Sequence, residues 1–186
     1  MREFILYSRK GQTNAGFSSL HDAGRLDVVH ECIVASLFLS HGLRRNVVFD
    51  VILNGPPTPP VHLRLDGQTL YDVRTDAGTW DGILRKVLSS KVHSGISLQK
   101  TSFEAVLKER SKDHSVYVLE EGGKNIEDFD LEASPVFVLG DHIGLPKTVE
   151  SFALRYGEKI SLGKQAYLAA SCLTILNFVM DRRNLP

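Results

Sequence analysis

One stretch of this 186-residue chain is best suited to chemistry, and it is built around two glycines. Pro135-Val-Phe-Val-Leu-Gly-Asp-His-Ile-Gly-Leu-Pro146 runs a buried-strand pattern into Gly140, places a second glycine at 144 and lets Pro146 open a helix. Glycines at the carboxyl end of a strand allow backbone to approach a ligand closely, and a following helix start presents free N–H groups. Open α/β sheets bind their ligands at that end. An isolated Gly-x-x-x-Gly also describes a plain strand-to-helix turn, and spacing alone favours that reading. Asp141 and His142 stand beside the turn, where a pocket-shaping role and a purely structural one are equally compatible. Neither Gly-x-Gly-x-x-Gly nor Gly-x-x-x-x-Gly-Lys-Ser/Thr occurs, so the dinucleotide and P-loop fingerprints are absent. Cys32 and Cys172 lie in apolar surroundings without ligand spacing and read as reduced core thiols of a cytosolic protein.

These residues need an α/β scaffold to position them. Apolar runs alternate with helical patterns, the signature of one α/β domain with a largely parallel sheet. Strands are expected at Phe4–Tyr7, Val47–Leu53, Val116–Leu119, Val136–Leu139 and Lys159–Leu162, and a hairpin at His62–Leu65 and Gln68–Tyr71 around Asp66-Gly67. Helices are expected at Leu26–Ser40, from a Thr79 cap to about Ser89, after a Thr101-x-x-Glu104 capping box, and over Tyr167–Asp181. The last would carry Leu168, Cys172, Ile175, Leu176 and Val179 on one stripe. Asn54-Gly-Pro-Pro-Thr-Pro-Pro60 reads as a rigid loop.

Bulk composition narrows the class. Lys+Arg and Asp+Glu balance at 22 each, which counts against a protein that coats nucleic acid with positive charge. An enzyme that clusters a few cations, or assembles them in a dimer, remains compatible. Met1–Tyr7 is too short and too acidic for a signal peptide, and no apolar run reaches the roughly 18 residues of a membrane span.

Val136–Gly144, followed by Ile160-Ser-Leu162 and a terminal helix with Cys172, resembles the C-terminal half of a SPOUT methyltransferase. Met1–Ile5, Ala23-Gly-Arg-Leu-Asp27, Leu39–Val48 and Gly55–Pro60 extend the likeness. In that order and spacing the chain is similar, end to end, to the archaeal tRNA pseudouridine N1-methyltransferases. The resemblance implies an α/β trefoil knot, which elementary topology rules would never suggest. It also implies a homodimer that uses S-adenosylmethionine to methylate N1 of pseudouridine at position 54 of the tRNA T-loop, with no metal.

Matched residue by residue, the resemblance places Leu119, Gly140, Ile160, Ser161, Leu162, Gly163, Lys164, Gln165 and Cys172 around the methyl donor. Cys172 is assigned to the pocket wall, because transfer from a sulfonium needs no covalent intermediate. On the acceptor side the N1 proton must leave, so a carboxylate and a cation are required. Asp27 and Arg25 are the candidates, weighed evenly against a first-turn helix acid and a surface charge. Arg44 and Arg45 are assigned to RNA phosphates, which arginine grips bidentately.

Three departures from the family pattern are visible: Asn46 where relatives carry Asp, Gly163-Lys164 where they carry Ser-Pro, and Ala169-Ala-Ser171 where they carry histidines. They leave two alternatives open, the same reaction on ribosomal RNA and a knotted RNA-binding factor that has lost catalysis.

Overall fold

The computed structural model describes all residues from Met1 to Pro186. Alternate side chains of the first strand, β1 (Arg2–Ser8), go to opposite sides of a sheet: Phe4 and Leu6 to one apolar layer, Ile5 to the other. This is the period of two that a pleated strand imposes. The chain continues through α1 (Leu26–Leu37), β2 (Phe38–Leu39), β3 (Gly42–Leu43), β4 (Val47–Leu53), β5 (Val61–Asp66) and α2 (Ala77–Leu88). Then follow β6 (Ile96–Gln99), α3 (Phe103–Arg110), β7 (Ser115–Asn125), a short 3-10 turn at Ile126–Asp128, β8 (Pro135–Gly140), α4 (Lys147–Ala153), β9 (Gly157–Ser161) and α5 (Ala169–Arg182).

The seven-stranded sheet has the order β6-β5-β4-β1-β8-β7-β9. From β4 to β9 every neighbouring pair is parallel, whereas β5 and β6 form an antiparallel edge. Residues of α1, α2 and α5 close a core of 36 buried side chains on one face, and α3 and α4 close a smaller core of 11 on the other. All seven residues of β4 are buried, as a near-continuous apolar run in a doubly covered strand predicts.

Several local expectations change. Helix α1 stops at Leu37, because Phe38-Leu39 turns back over Ser40-His41 to pair with Gly42-Leu43. Asp66-Gly67 makes a turn without the expected hairpin. The Asp66 carbonyl accepts from the Thr69 and Leu70 N–H groups, Leu70 is fully buried, and β6 takes the place beside β5. Asp76, three residues before the expected Thr79, caps α2 by accepting from Thr79 N at 2.8 Å, and Ser102, next to the expected Thr101, caps α3.

The two ends of the chain are tied together by Arg2. Its guanidinium is 3.0 Å from Asp181 and 3.0 Å from the Asn177 side-chain oxygen, and it also donates to the Leu185 carbonyl. Asn177 donates in turn to the Ala35 and Ser36 carbonyls, which fixes α5 against α1. Such buried polar groups are stable only when fully paired.

Candidate active site

Strands β1 and β8 run in parallel to the pair Tyr7–Gly140, and β7 and β9 to Asn125–Ser161, so four strands deliver their carboxyl ends to one place. The glycine turn there is organised by Asp141. Its backbone N donates to the Tyr7 carbonyl (3.2 Å), while its carboxylate accepts from Arg9 N (2.8 Å) and Ile143 N (3.0 Å). Gly144 closes the turn with N–H to the Asp141 carbonyl, at φ +80°. A Cβ on Gly140 would lie 2.3 Å from the Gly144 carbonyl carbon. The chain's own close packing therefore requires that glycine.

Above the turn lies a cavity of about 150 Å³ lined by 16 residues, eight of them hydrophobic. Leu119, Gly140, Ser161, Leu162, Gly163, Gln165 and Cys172 all line it. Ile160 and Lys164 do not: Ile160 is fully buried in the core and Lys164 is exposed. Gly144, the second glycine of the turn, also lines the cavity, and Glu120, Glu121, Leu145, Ala166 and Tyr167 join without having been assigned a role from sequence. The two glutamates were hidden because the strand pattern breaks at Leu119. In fact β7 continues past an irregularity between Leu119 and Lys124, where Gly123 packs against the Ile160 backbone. The Gly122-Gly123 pair was the available signal.

The lining contains Glu120, Glu121 and Asp141 but no Lys, Arg or His. Glu120 has no hydrogen-bond partner, because nearby Lys159 is 2.5 Å from Glu150. Burial, reinforced by Glu150, pushes the Glu120 carboxyl above the usual carboxylate range. Burial also pushes the Cys172 thiol up to about 11, so it is a neutral wall, not a nucleophile. Leu168, expected on the buried stripe of α5, is 70% exposed because the helix begins one residue later, at Ala169.

Arg25 and Asp27 open α1 at the same end of the sheet. Arg25 has a left-handed backbone (φ 69°, ψ 42°), a strained state for a residue with a side chain. Its guanidinium grips Asp27, Nε to Oδ1 at 3.0 Å and Nη2 to Oδ2 at 3.0 Å, and His21 stands 3.6 Å away. Partial burial opposes ionisation of Asp27, but the Arg25 hydrogen bond and charge outweigh it and hold the carboxyl below its ordinary value. Gly24, just before Arg25, packs against the Lys10 carbonyl, and Arg9 N donates to Asp141, so a short loop joins this pair to the cavity wall.

Arg44 and Arg45 lie elsewhere. They precede β4, whose first residue pairs with Arg2, so they sit at the amino ends of the strands, about 20 Å of strand length from the glycine turn. Arg44 makes a two-point ion pair with Asp181 (2.9 and 2.6 Å), and Arg45 donates to the Gly67 and Leu70 carbonyls (2.9 Å each). Asn46 is exposed at the same end. Ala169, by contrast, lines the cavity.

The family described as a SAM-dependent RNA methyltransferase matches residues 1–185. The chain belongs to that family. Relatives named tRNA (pseudouridine(54)-N(1))-methyltransferase include those of Methanocella arvoryzae, 35% identical over 98% of this chain and all of its own length, and of Pyrococcus abyssi, 35% identical over the whole of both. Among solved structures, Archaeoglobus fulgidus Nep1 bound to S-adenosylhomocysteine superposes with a TM-score of 0.67 at 14% identity, covering 97% of this chain and 96% of that one. A ribosomal RNA small subunit methyltransferase E from Neisseria gonorrhoeae, bound to S-adenosyl methionine, gives 0.54 at 10% identity, with 98% and 66% covered. These likenesses establish the SPOUT fold for the α/β sheet.

The family's methyl donor suits the cavity. Eight hydrophobic residues in its lining suit adenine and the methionine chain, beside a few polar groups. Cation-free walls with three carboxylates match a ligand that carries a sulfonium and an ammonium.

Proposed function

We propose that this chain methylates N1 of pseudouridine at position 54 of the tRNA T-loop, with S-adenosylmethionine as donor. One observation carries the reading: the carboxyl-end cavity, with its glycine turn and acidic walls, is intact in a chain that aligns over nearly its full length with relatives bearing that name.

S-adenosylmethionine supplies, when bound, a methyl group on sulfonium sulfur: N1 attacks the methyl carbon, the C–S pair stays on the departing thioether, and the N1 proton is lost. The protein's residues supply the rest. Leu119, Leu162 and Cys172 give the donor pocket its apolar surface, and the Gly140–Gly144 turn and Ser161–Gln165 loop provide its polar edge. Asp27, ionised and held at two points by Arg25, orients the N1–H and attracts its proton. Arg25 offers its remaining N–H groups to a uracil oxygen, where negative charge grows during attack. Because Arg25 keeps Asp27 a weak base, it serves more for orientation and charge than for strong proton abstraction.

A two-fold assembly would gather sparse cations into one RNA-facing groove on a chain of zero net charge, so the homodimer is part of the proposal. The same holds for the cytoplasmic setting, which a tRNA substrate requires, and for the trefoil threading of the segment after β9. No helix is long and apolar enough to cross a membrane.

Label from S-adenosylmethionine should enter a tRNA carrying pseudouridine at position 54 and not the same tRNA carrying uridine there. Equal labelling of both, or of neither, would reject the proposal.

A further inference from the structure

The acidic cavity raises a difficulty for a polyanionic substrate. An RNA strand approaching it meets Glu120, Glu121 and Asp141, with no cation in the lining to offset them. The arginines assigned from sequence to phosphate contacts are engaged with Asp181 and with backbone carbonyls at the far end of the strands. Other arginines are similarly committed: Arg64 to Asp50, Arg85 to Asp81, Arg110 to Glu3 and Arg182 to Glu127.

We infer that Arg9 and Lys10, on the loop leaving β1, form the rim that grips the phosphates flanking the acceptor nucleotide. This deepens the methyltransferase reading and rests on it. Arg9 is the residue immediately after β1, and its backbone N donates to the Asp141 carboxylate in the cavity wall. Both side chains are exposed, and neither makes an ion pair or a side-chain hydrogen bond within the chain.

The backbone beneath them is fixed. Gly11 N bonds Ser8 Oγ, the Gly11 carbonyl accepts from Gly55 N at 2.8 Å, and Gln12 N reaches the Ala23 carbonyl at 3.0 Å. The Lys10 carbonyl is so tightly enclosed that a Cβ on Gly24 would fall 1.7 Å from it, and one on Gly55 2.1 Å. A rigid loop with two free cations at its crest loses little backbone entropy when it meets a ligand. Arginine supplies a bidentate phosphate grip, and lysine a compact, mobile charge. The Gly24 contact also joins this loop to the residue before Arg25, so the rim and the Arg25–Asp27 pair share one support.

The test compares the parent protein with the double variant Arg9→Ala/Lys10→Ala. A T-arm stem-loop RNA containing pseudouridine is titrated across a salt series, and S-adenosylmethionine affinity is measured calorimetrically in parallel. The double variant should bind the RNA about tenfold or more weakly near 0.1 M salt, and its log-affinity against log-salt slope should shrink by roughly 1.5 to 2, with donor affinity unchanged. Lys108→Ala, on α3, should leave the slope at the parent value. A parent that binds and methylates the RNA while the double variant keeps its full slope overturns the rim assignment alone. A parent that binds the RNA but transfers no methyl group to it counts against the functional reading itself, whatever the variant does.

Discussion

Arg25 holds Asp27 through two nitrogens, at 3.0 Å each, from a left-handed backbone at the mouth of a helix. The pair is built at a conformational cost, and its charges complete each other before any substrate arrives. Asp27→Asn should therefore lower kcat by about tenfold to a hundredfold, near the low end of general-base effects, with donor affinity within about twofold of the parent. Steady-state kinetics with saturating RNA, alongside a donor titration, measures both. A fully active Asp27→Asn variant removes this carboxylate from the mechanism.

Glu120 should distinguish the donor from the product. Its unpaired carboxylate faces the cavity, and only the donor carries the sulfonium charge. Glu120→Gln should weaken S-adenosylmethionine binding about five- to tenfold and S-adenosylhomocysteine binding by less than about twofold, as expected for one charge pair at a partly solvated site. Because burial raises the Glu120 pKa, donor affinity in the parent should strengthen as pH rises through that raised value, and Glu120→Gln should flatten the dependence. Calorimetry with both ligands at several pH values provides the readout.

The two glycines of the turn should respond differently. Gly144 lies at φ +80° with open space where a Cβ would stand, so Gly144→Ala should cost only backbone strain, about 1 kcal/mol and about 2–4 °C in Tm. Gly140→Ala must push the Gly144 backbone away, so it should lower Tm further and weaken donor binding as well. Thermal melts with and without S-adenosylmethionine separate the two. Equal effects would contradict the close packing described for Gly140.

A buried charge network far from the pocket predicts a pH-dependent stability. Asp50 accepts from His62 at 2.5 Å and from Arg64, and Glu3 accepts from Arg64 and from Arg110 at 2.5 Å. Burial and the neighbouring Asp50 push Glu3 up to about 7, against the pull of the two arginines. The folded state thus holds a proton on Glu3 that the unfolded chain releases near 4.5, so stability falls as pH rises from about 4.5 to 7, by about 3 kcal/mol at most. Asp50 behaves oppositely. Burial opposes its ionisation, but His62, Glu3 and Arg64 hold its pKa down, so its contribution is lost only as pH falls below the ordinary carboxylate range. Melts between pH 5 and 8 should show this decline with rising pH in the parent and lose it in Glu3→Gln.

Much of this architecture was legible because burial writes itself into sequence. The doubly covered strand β4 and the glycine at the end of β8 follow from apolar runs and from residues that have no substitute. The cavity wall was legible from the residues themselves at the glycine turn of Gly140 and Gly144, whereas Leu119 and Gly163 came only from the family resemblance. It was not legible at Glu120 and Glu121, since a carboxylate lining a pocket looks in sequence like one facing solvent. Arg44 and Arg45 show the converse. An arginine pair has the composition of a phosphate site, and only the distant Asp181 and the turn at Gly67 reveal its intramolecular partners. The hairpin at Asp66-Gly67 failed for a similar reason, because β6, some thirty residues on, takes the neighbouring place beside β5.

The most direct test of the site is a titration of the free protein with S-adenosylmethionine, repeated on Ala169→Trp. Ala169 lines the cavity from the first turn of α5 and also packs against the main core, so a bulky ring there fills donor space and the variant's fold is checked by its thermal melt. One donor should bind per chain to the parent and none measurably to a folded Ala169→Trp variant. Undiminished binding to that variant would place the donor elsewhere, and no binding to a folded parent free of co-purified ligand would contradict the cavity's role altogether.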